Sequence, residues 1–201
     1  MERSIGPAPP LIRLPKSLKD GTLLLNAYQV EDAEAHLEGE DEEMRRRFDA
    51  VRPATLEETR QAMRRWIEGR RTGAPMFAYA IRRRSGPLIG GCELRMRSAV
   101  SANVSYWIFP QYRRGGYALR ALSLLCDAAS SVEELERLEA RVAPDNVASR
   151  RVLDKANFVE SGTVEEIAWT GKASMMLLYV RFILGPSRPR PATRARRARR
   201  P

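Results

Sequence analysis

The feature that most constrains this chain is the passage from NVSYWIF (103–109), through PQYRRGG, into YALRALSLLCDAAS. The first run has the β-branched and aromatic content of a strand. The last repeats small and apolar residues every three or four positions, which predicts a helix over 113–130 with one buried face. A strand that turns into a helix through Gly115-Gly116 implies a mixed α/β fold. It also leaves the first N–H groups of the helix without carbonyl partners, at the positive end of the helix dipole. Such a turn accepts a phosphate, because glycine lets the ligand approach the main chain. Arg113 and Arg114 sit at the same end, where cations are unfavourable unless an anion lies between them. Taken alone, a Gly-Gly turn fits a plain connection as well as an anion site.

The flanking segments define the domain. Strands are predicted over 22–30, 76–83, 87–98, 135–143, 163–170 and 174–184, the last two joined by a turn at Thr170-Gly171-Lys172. EDAEAHLEGEDEEMRRRF gives two short helices broken near Gly39. Thr55 followed by Glu58 is a capping box, opening a helix with Ala62, Met63 and Trp66 on one face and its end between Gly69 and Gly73. DNVASRRVLDKANF (145–158) is a helix closed by Asn157, a residue that tolerates left-handed backbone. The order describes one domain over residues 1–185, with 1–19 as an extended N-terminal segment. The Gly-x-x-x-x-Gly-Lys-[Ser/Thr] phosphate loop and the Gly-x-Gly-x-x-Gly dinucleotide turn are both absent.

Composition removes several alternatives. The chain has 201 residues, 43% of them apolar, enough for one ordinary core. No stretch approaches the ~20 apolar residues of a membrane helix, and MERSIGPAPPL lacks a signal-peptide core, so a cytoplasmic protein is expected. Cys92 and Cys126 lie in apolar surroundings and read as small buried hydrophobes. With those two thiols and one histidine, His36, no zinc ligand set is expected. His36 lies in an acidic amphipathic segment and is set aside as a catalytic base. Of the +10 net charge, seven arginines fall in 186–201 (PSRPRPATRARRARRP), leaving +3 for the rest. That tail is read as disordered; a solvated extension is favoured over an arm that binds polyanions such as RNA.

A second motif resolves the first. NVASRRVLDKANF (146–158), taken with RRGGYA (113–118), resembles the GNAT superfamily of N-acetyltransferases, in the branch of the ribosomal-protein N-terminal acetyltransferases. Arg113, Gly116 and Ala118 fill the fixed positions of that family's [Gln/Arg]-x-x-Gly-x-[Gly/Ala] loop. Asn146, Ser149, Val152, Lys155 and Phe158 match its second motif, with Asn157 in place of glycine. SYWIFPQYR (105–113) is similar to the strand before the loop, and Gly90 to a position in the preceding strand. Two loop residues depart from the branch: Arg114 stands for its first glycine and Gly115 for its lysine. The resemblance spans about residues 20–182.

The resemblance implies a GNAT-like α/β (α+β) fold, with a mixed, mostly antiparallel central sheet, flanking helices, and a splayed parallel pair formed by strands 103–109 and 135–143. It implies acetyl-CoA as cosubstrate and no metal. The diphosphate would rest on Arg113, Arg114, Gly115, Gly116, Tyr117 and Ala118. The pantetheine arm would pair near Ile108 and with Asn146, and a backbone N–H near Trp107 or Ile108 would meet the oxyanion. The family's usual leaving-group tyrosine is Leu153 here; the resemblance to the ribosomal-protein branch, which uses the helix serine, implies that role for Ser149. Glu93 is the candidate base, Glu165 or Glu166 an alternative, and Tyr106 a residue of the acceptor cleft. Family acids elsewhere correspond to Asn103 and Met175, and a glycine to Ser105. The implied reaction is direct attack of a primary amine, on a protein N-terminus or a small molecule, on the thioester. The alternative is a non-catalytic acyl-CoA-binding module whose basic tail holds polyanions; a homodimer is compatible with either.

Overall fold

The computed structural model describes residues 13–73, 75–84, 86–167 and 173–183. Its strands are β1 (Ser17–Lys19), β2 (Leu23–Asn26), β3 (Met76–Arg83), β4 (Leu88–Met96), β5 (Ser101–Ile108), β6 (Arg137–Val142), β7 (Val159–Ile167) and β8 (Ala173–Phe182). Its α-helices are α1 (Asp32–Glu38), α2 (Glu42–Arg47), α3 (Leu56–Thr72), α4 (Tyr117–Ala129) and α5 (Val147–Lys155). The strands form one sheet in the order β1-β2-β3-β4-β5-β6-β8-β7. Every neighbouring pair is antiparallel except β5 and β6.

That exception positions the site. β5 and β6 pair only through Ser101–Asn103 and Arg137–Glu139. Beyond these residues both strands continue, β5 to Ile108 along β4 and β6 to Val142 along β8, without pairing to each other. The sheet is therefore open between the C-terminal halves of two adjacent strands. The predicted splayed pair is present.

Alternation along the strands divides the core into two layers. Val104 and Ile108 of β5, with Leu138, Ala140 and Val142 of β6, share one cluster with Leu122 and Leu125 of α4 and Leu153 of α5. Trp107 points to the other face, with Ala33 of α1, Met44 of α2, Met63 of α3 and Phe109. Leu122, Leu125 and Met63 are wholly buried, which contributes roughly 2 kcal/mol per side chain. Cys92 and Cys126 are buried and unbonded to one another, as small hydrophobes would be.

Several local expectations hold. Thr55 and Glu58 form the capping box, and α3 ends at Gly73 in left-handed backbone, so Gly69 lies inside the helix. β3 has its predicted bounds. The helix predicted over 113–130 starts later, at Tyr117, because Pro110–Tyr112 form a single 3-10 turn and the glycines intervene. β7 begins at Val159 rather than 163, and the expected extended segment 1–19 ends in the edge strand β1. The Thr170-Gly171-Lys172 turn and the 186–201 tail lie outside the described residues. Among those described, no helix is long and apolar enough to cross a membrane.

Candidate active site

Two loops frame the opening between β5 and β6: residues 109–116 after β5, and 143–146 after β6. The first leads into α4, whose N-cap, Gly116, has φ 77° and no side-chain cap. A Cβ built there would meet nothing within 4 Å, so the helix start is open to a ligand. The first intrahelical bond runs from Arg120 N–H to the Gly116 carbonyl at 3.2 Å. The N–H groups of Tyr117, Ala118 and Leu119 have no carbonyl one turn back to meet. These features fit a diphosphate.

Arg114, which replaces the family's usual glycine, has φ 67°. Left-handed backbone explains why glycine is the ordinary residue there. Among the described residues its guanidinium makes no hydrogen bond or ion pair. Arg113 is different. Its backbone N–H donates to the Pro110 carbonyl at 3.1 Å, its Nε donates to the Ile108 carbonyl at 3.0 Å, and its terminal nitrogens donate to Asp41 at 2.6 and 2.9 Å.

The open edge of β5 follows from alternation of the main chain. Phe109 N–H donates to the Ile89 carbonyl on β4. Odd-numbered residues of β5 therefore spend their main-chain groups on β4, while Val104, Tyr106 and Ile108 present theirs to the gap. Of the two N–H groups considered for the oxyanion, Ile108's faces the gap and Trp107's faces β4.

On the α4–α5 side of the gap, the Tyr106 hydroxyl lies 2.9 Å from Ser149 Oγ and 3.3 Å from the Ser149 carbonyl. Burial raises the Tyr106 phenol to about 12, partly offset by the hydrogen bond to Ser149, so it stays neutral at working pH. Ser149 stands in the first turn of α5, where its N–H donates to Asn146 Oδ1 at 3.1 Å. Asn146 is thus the N-cap of α5, and its amide nitrogen makes no hydrogen bond with described residues. Sequence reasoning placed Tyr106 in the acceptor cleft; its hydroxyl instead lies with Ser149 on the α4–α5 face, while Trp107 is on the acceptor side, and the pairing was missed because residues 43 positions apart meet only through the fold.

The opposite face of the gap carries a different set. Asn103 Oδ1, Ser105 Oγ and Trp107 Nε1 follow one another on β5, all buried and without a partner among the described residues; Arg141 Nε on β6 is in the same condition. A buried polar atom left unpaired costs about 1–3 kcal/mol, so these atoms call for a polar partner, water or ligand. Glu93, directly opposite Ser105, shares this face and lies 3.6 Å from Arg95. Of the Glu165–Glu166 alternatives, Glu166 faces inward, 3.6 Å from Arg141. Glu93 and the Tyr106–Ser149 pair are therefore on opposite sides of the sheet, joined through the gap.

His36 packs on the Trp107 face of the sheet, away from the Tyr106–Ser149 pair. Its ring packs edge-on against Tyr28, Trp107, Phe109 and Trp66 at centroid distances of 5.8–6.2 Å. Burial lowers its pKa to about 4, with a small opposing effect of Asp32.

Comparison with known proteins agrees with this geometry. A sequence model described as "Acetyltransferase (GNAT) domain" matches residues 22–159. The "Probable N-acetyltransferase YjcK" of Bacillus subtilis (strain 168) is 28% identical over 153 residues, covering 72% of this chain and 84% of the relative. Among solved structures, a ribosomal α-N-protein acetyltransferase, RimL, in complex with coenzyme A superimposes with a TM-score of 0.71 at 19% identity, over 83% of this chain and 98% of that one. The spermidine N-acetyltransferase of Vibrio cholerae, in complex with CoA and spermine, gives 0.68 at 17%, over 82% and 97%. The chain belongs to the GNAT family: it is an acetyltransferase that acts with acetyl-CoA.

Proposed function

We propose that the protein transfers the acetyl group of acetyl-CoA directly to a primary amine, on a protein N-terminus or a small molecule, with Ser149 assisting departure of the thiol and Glu93 on the amine side. The observation that carries this reading is the Tyr106–Ser149 pair at the mouth of a gap whose other face presents unpaired polar groups. In a direct transfer the amine nitrogen bonds to the acetyl carbon, the carbon–sulfur bond breaks, the nitrogen sheds a proton and the sulfur acquires one. Acid and base must therefore stand on opposite sides of the carbonyl carbon, and Ser149 and Glu93 stand on opposite faces of the gap.

In this reading the N–H groups of Gly115, Gly116, Tyr117 and Ala118, with the cationic loop residue Arg114, cradle the diphosphate. The free amide of Asn146 and the gap-facing carbonyl of Ile108, which also accepts from Arg113 Nε, hold the pantetheine arm. The Ile108 N–H is the oxyanion donor, already fixed by the strand. Tyr106, neutral at working pH, donates to Ser149 Oγ, which leaves the serine proton directed at the sulfur. The substrate ammonium must lose a proton before attack; an α-amine, with a pKa near ~8, loses it more readily than a lysine. The likeness to RimL and to the spermidine enzyme keeps both acceptor classes in view.

The test is a panel of peptides and small amines incubated with acetyl-CoA, reading free CoA and the acetylated product. Transfer to one class, reduced in Ser149→Ala and Glu93→Gln, supports the reading. Tight acetyl-CoA binding without product from any amine would favour the non-catalytic binding module.

A further inference from the structure

The acidic stretch EGEDEEMRRRF (38–48) does something more specific than form a short charged helix. Its helix α2 begins at Asp41, which caps it by accepting from Met44 N–H and also holds the guanidinium of Arg113 through both carboxylate oxygens. The last turn of α2 carries Arg46 and Arg47, which donate to the two oxygens of Asp145 at 3.1 and 2.6 Å. Arg113 lies in the loop after β5, and Asp145 directly precedes the N-cap of α5 in the loop after β6. One short helix is thus fastened by charge to both loops that bound the gap. Six residues rise only about 9 Å, so the fastening fixes the separation of those loops closely.

Arg113 has little left for a ligand. Its N–H, its Nε and both terminal nitrogens have protein partners, and Asp41 cancels its charge locally. Arg114 has none of these partners. We propose that Arg113 is the buckle of an ionic strap rather than a diphosphate ligand, that Asp41 and Asp145 are positioning residues acting through it and through Arg46 and Arg47, and that Arg114 supplies the loop's available cation. The strap bears on the acceptor side as well. Phe48, at the end of α2, packs edge-on against Trp107 at 5.5 Å, so the position of α2 sets the wall around the unpaired Trp107 Nε1.

A helix of six residues does not persist alone, and α2 buries only Met44, so its order depends on its anchors. Partly exposed ion pairs contribute modestly; the effects expected are severalfold rather than complete. The assignment of Arg114 rests on the acetyl-CoA reading, whereas the strap does not. Two measurements on the full chain separate them: hydrogen exchange of the α2 amides without ligand, and calorimetric titration with CoA at several salt concentrations. Asp41→Asn keeps a capping oxygen but removes the charge. We expect it, like Asp145→Asn, to speed α2 exchange about threefold or more, with CoA affinity within about threefold of wild type. Arg114→Ala should weaken CoA binding by about tenfold and flatten its salt dependence, with α2 exchange unchanged. Arg113→Ala should loosen α2 as Asp41→Asn does, with CoA affinity within about threefold of wild type, and the double variant Asp41→Asn/Arg113→Ala should loosen α2 no further than either single change. Additive loosening in the double variant, a loss of CoA affinity of about tenfold in Arg113→Ala, or an Asp41→Asn variant with unaltered exchange, overturns the proposal. Absence of CoA binding by the wild type, with the exchange results intact, would overturn the assignment of Arg114 and the acetyl-CoA reading but leave the strap.

Discussion

Removing the Tyr106 hydroxyl tests the site at its most specific contact. In Tyr106→Phe the ring still packs against the α4–α5 core, while the 2.9 Å bond to Ser149 Oγ is lost. A neutral hydrogen bond of this kind contributes about 1 kcal/mol net. Freeing Ser149 among three rotamers costs its productive orientation a further ~0.6 kcal/mol or so. Together these correspond to a loss in kcat/KM of about tenfold. The assay is release of CoA thiol from acetyl-CoA with whichever amine the acceptor panel identifies. Because the Tyr106 phenol titrates only at about 12, the variant should leave the pH profile in place and lower it uniformly. In a Ser149→Ala background the same change should cost almost nothing, since the group it orients is gone. Equal losses in both backgrounds, or a shifted pH profile, would refute the claim that Tyr106 acts through Ser149.

Three further outcomes follow from the packing and the backbone. Gly91→Ala drives a Cβ into the Tyr28 hydroxyl and the Trp107 indole; thermal melting should show a loss of about 1–3 kcal/mol. Below pH 6.5 the unfolded chain protonates His36 while the folded chain, with a pKa of about 4, does not. Stability should therefore fall as pH drops through that window, by about 2 kcal/mol, and His36→Phe should fall less in parallel urea titrations. Arg114→Gly relieves left-handed backbone at φ 67°; it should raise stability by up to about 1 kcal/mol while weakening CoA binding, a gain and a loss read by melting and calorimetry.

Most of the frame was legible because its signals are local. Thr55 and Glu58 announce the start of α3 three residues apart, and β3 is a short apolar run, buried on both faces, that is complete within its own eight residues. The start of α4 was misjudged by four residues, because apolar periodicity ran back through Arg113-Arg114-Gly115-Gly116 and could not register that Gly116 takes left-handed backbone. The loop and the Asn146–Ser149 turn were found by their resemblance to the two GNAT motifs. Their partners were not, because Asp41 and Arg113 lie 72 positions apart, and Tyr106 and Ser149 lie 43 apart. Nothing in EGEDEEMRRRF distinguishes acids that face solvent from one that holds a loop arginine. The unpaired row of Asn103, Ser105 and Trp107 was equally hidden: the alternation was visible, but the absence of partners is a property of the folded surroundings.

The central claim is direct transfer from acetyl-CoA to a primary amine across the gap between β5 and β6. Its most direct test is mass spectrometry of a peptide and small-amine panel after incubation with acetyl-CoA, with free CoA measured in the same samples. The account predicts an acceptor 42 Da heavier, with one CoA released per acetyl group gained and both signals reduced together in Ser149→Ala. CoA binding with no acetylated acceptor, or thiol release without a matching product, would contradict it.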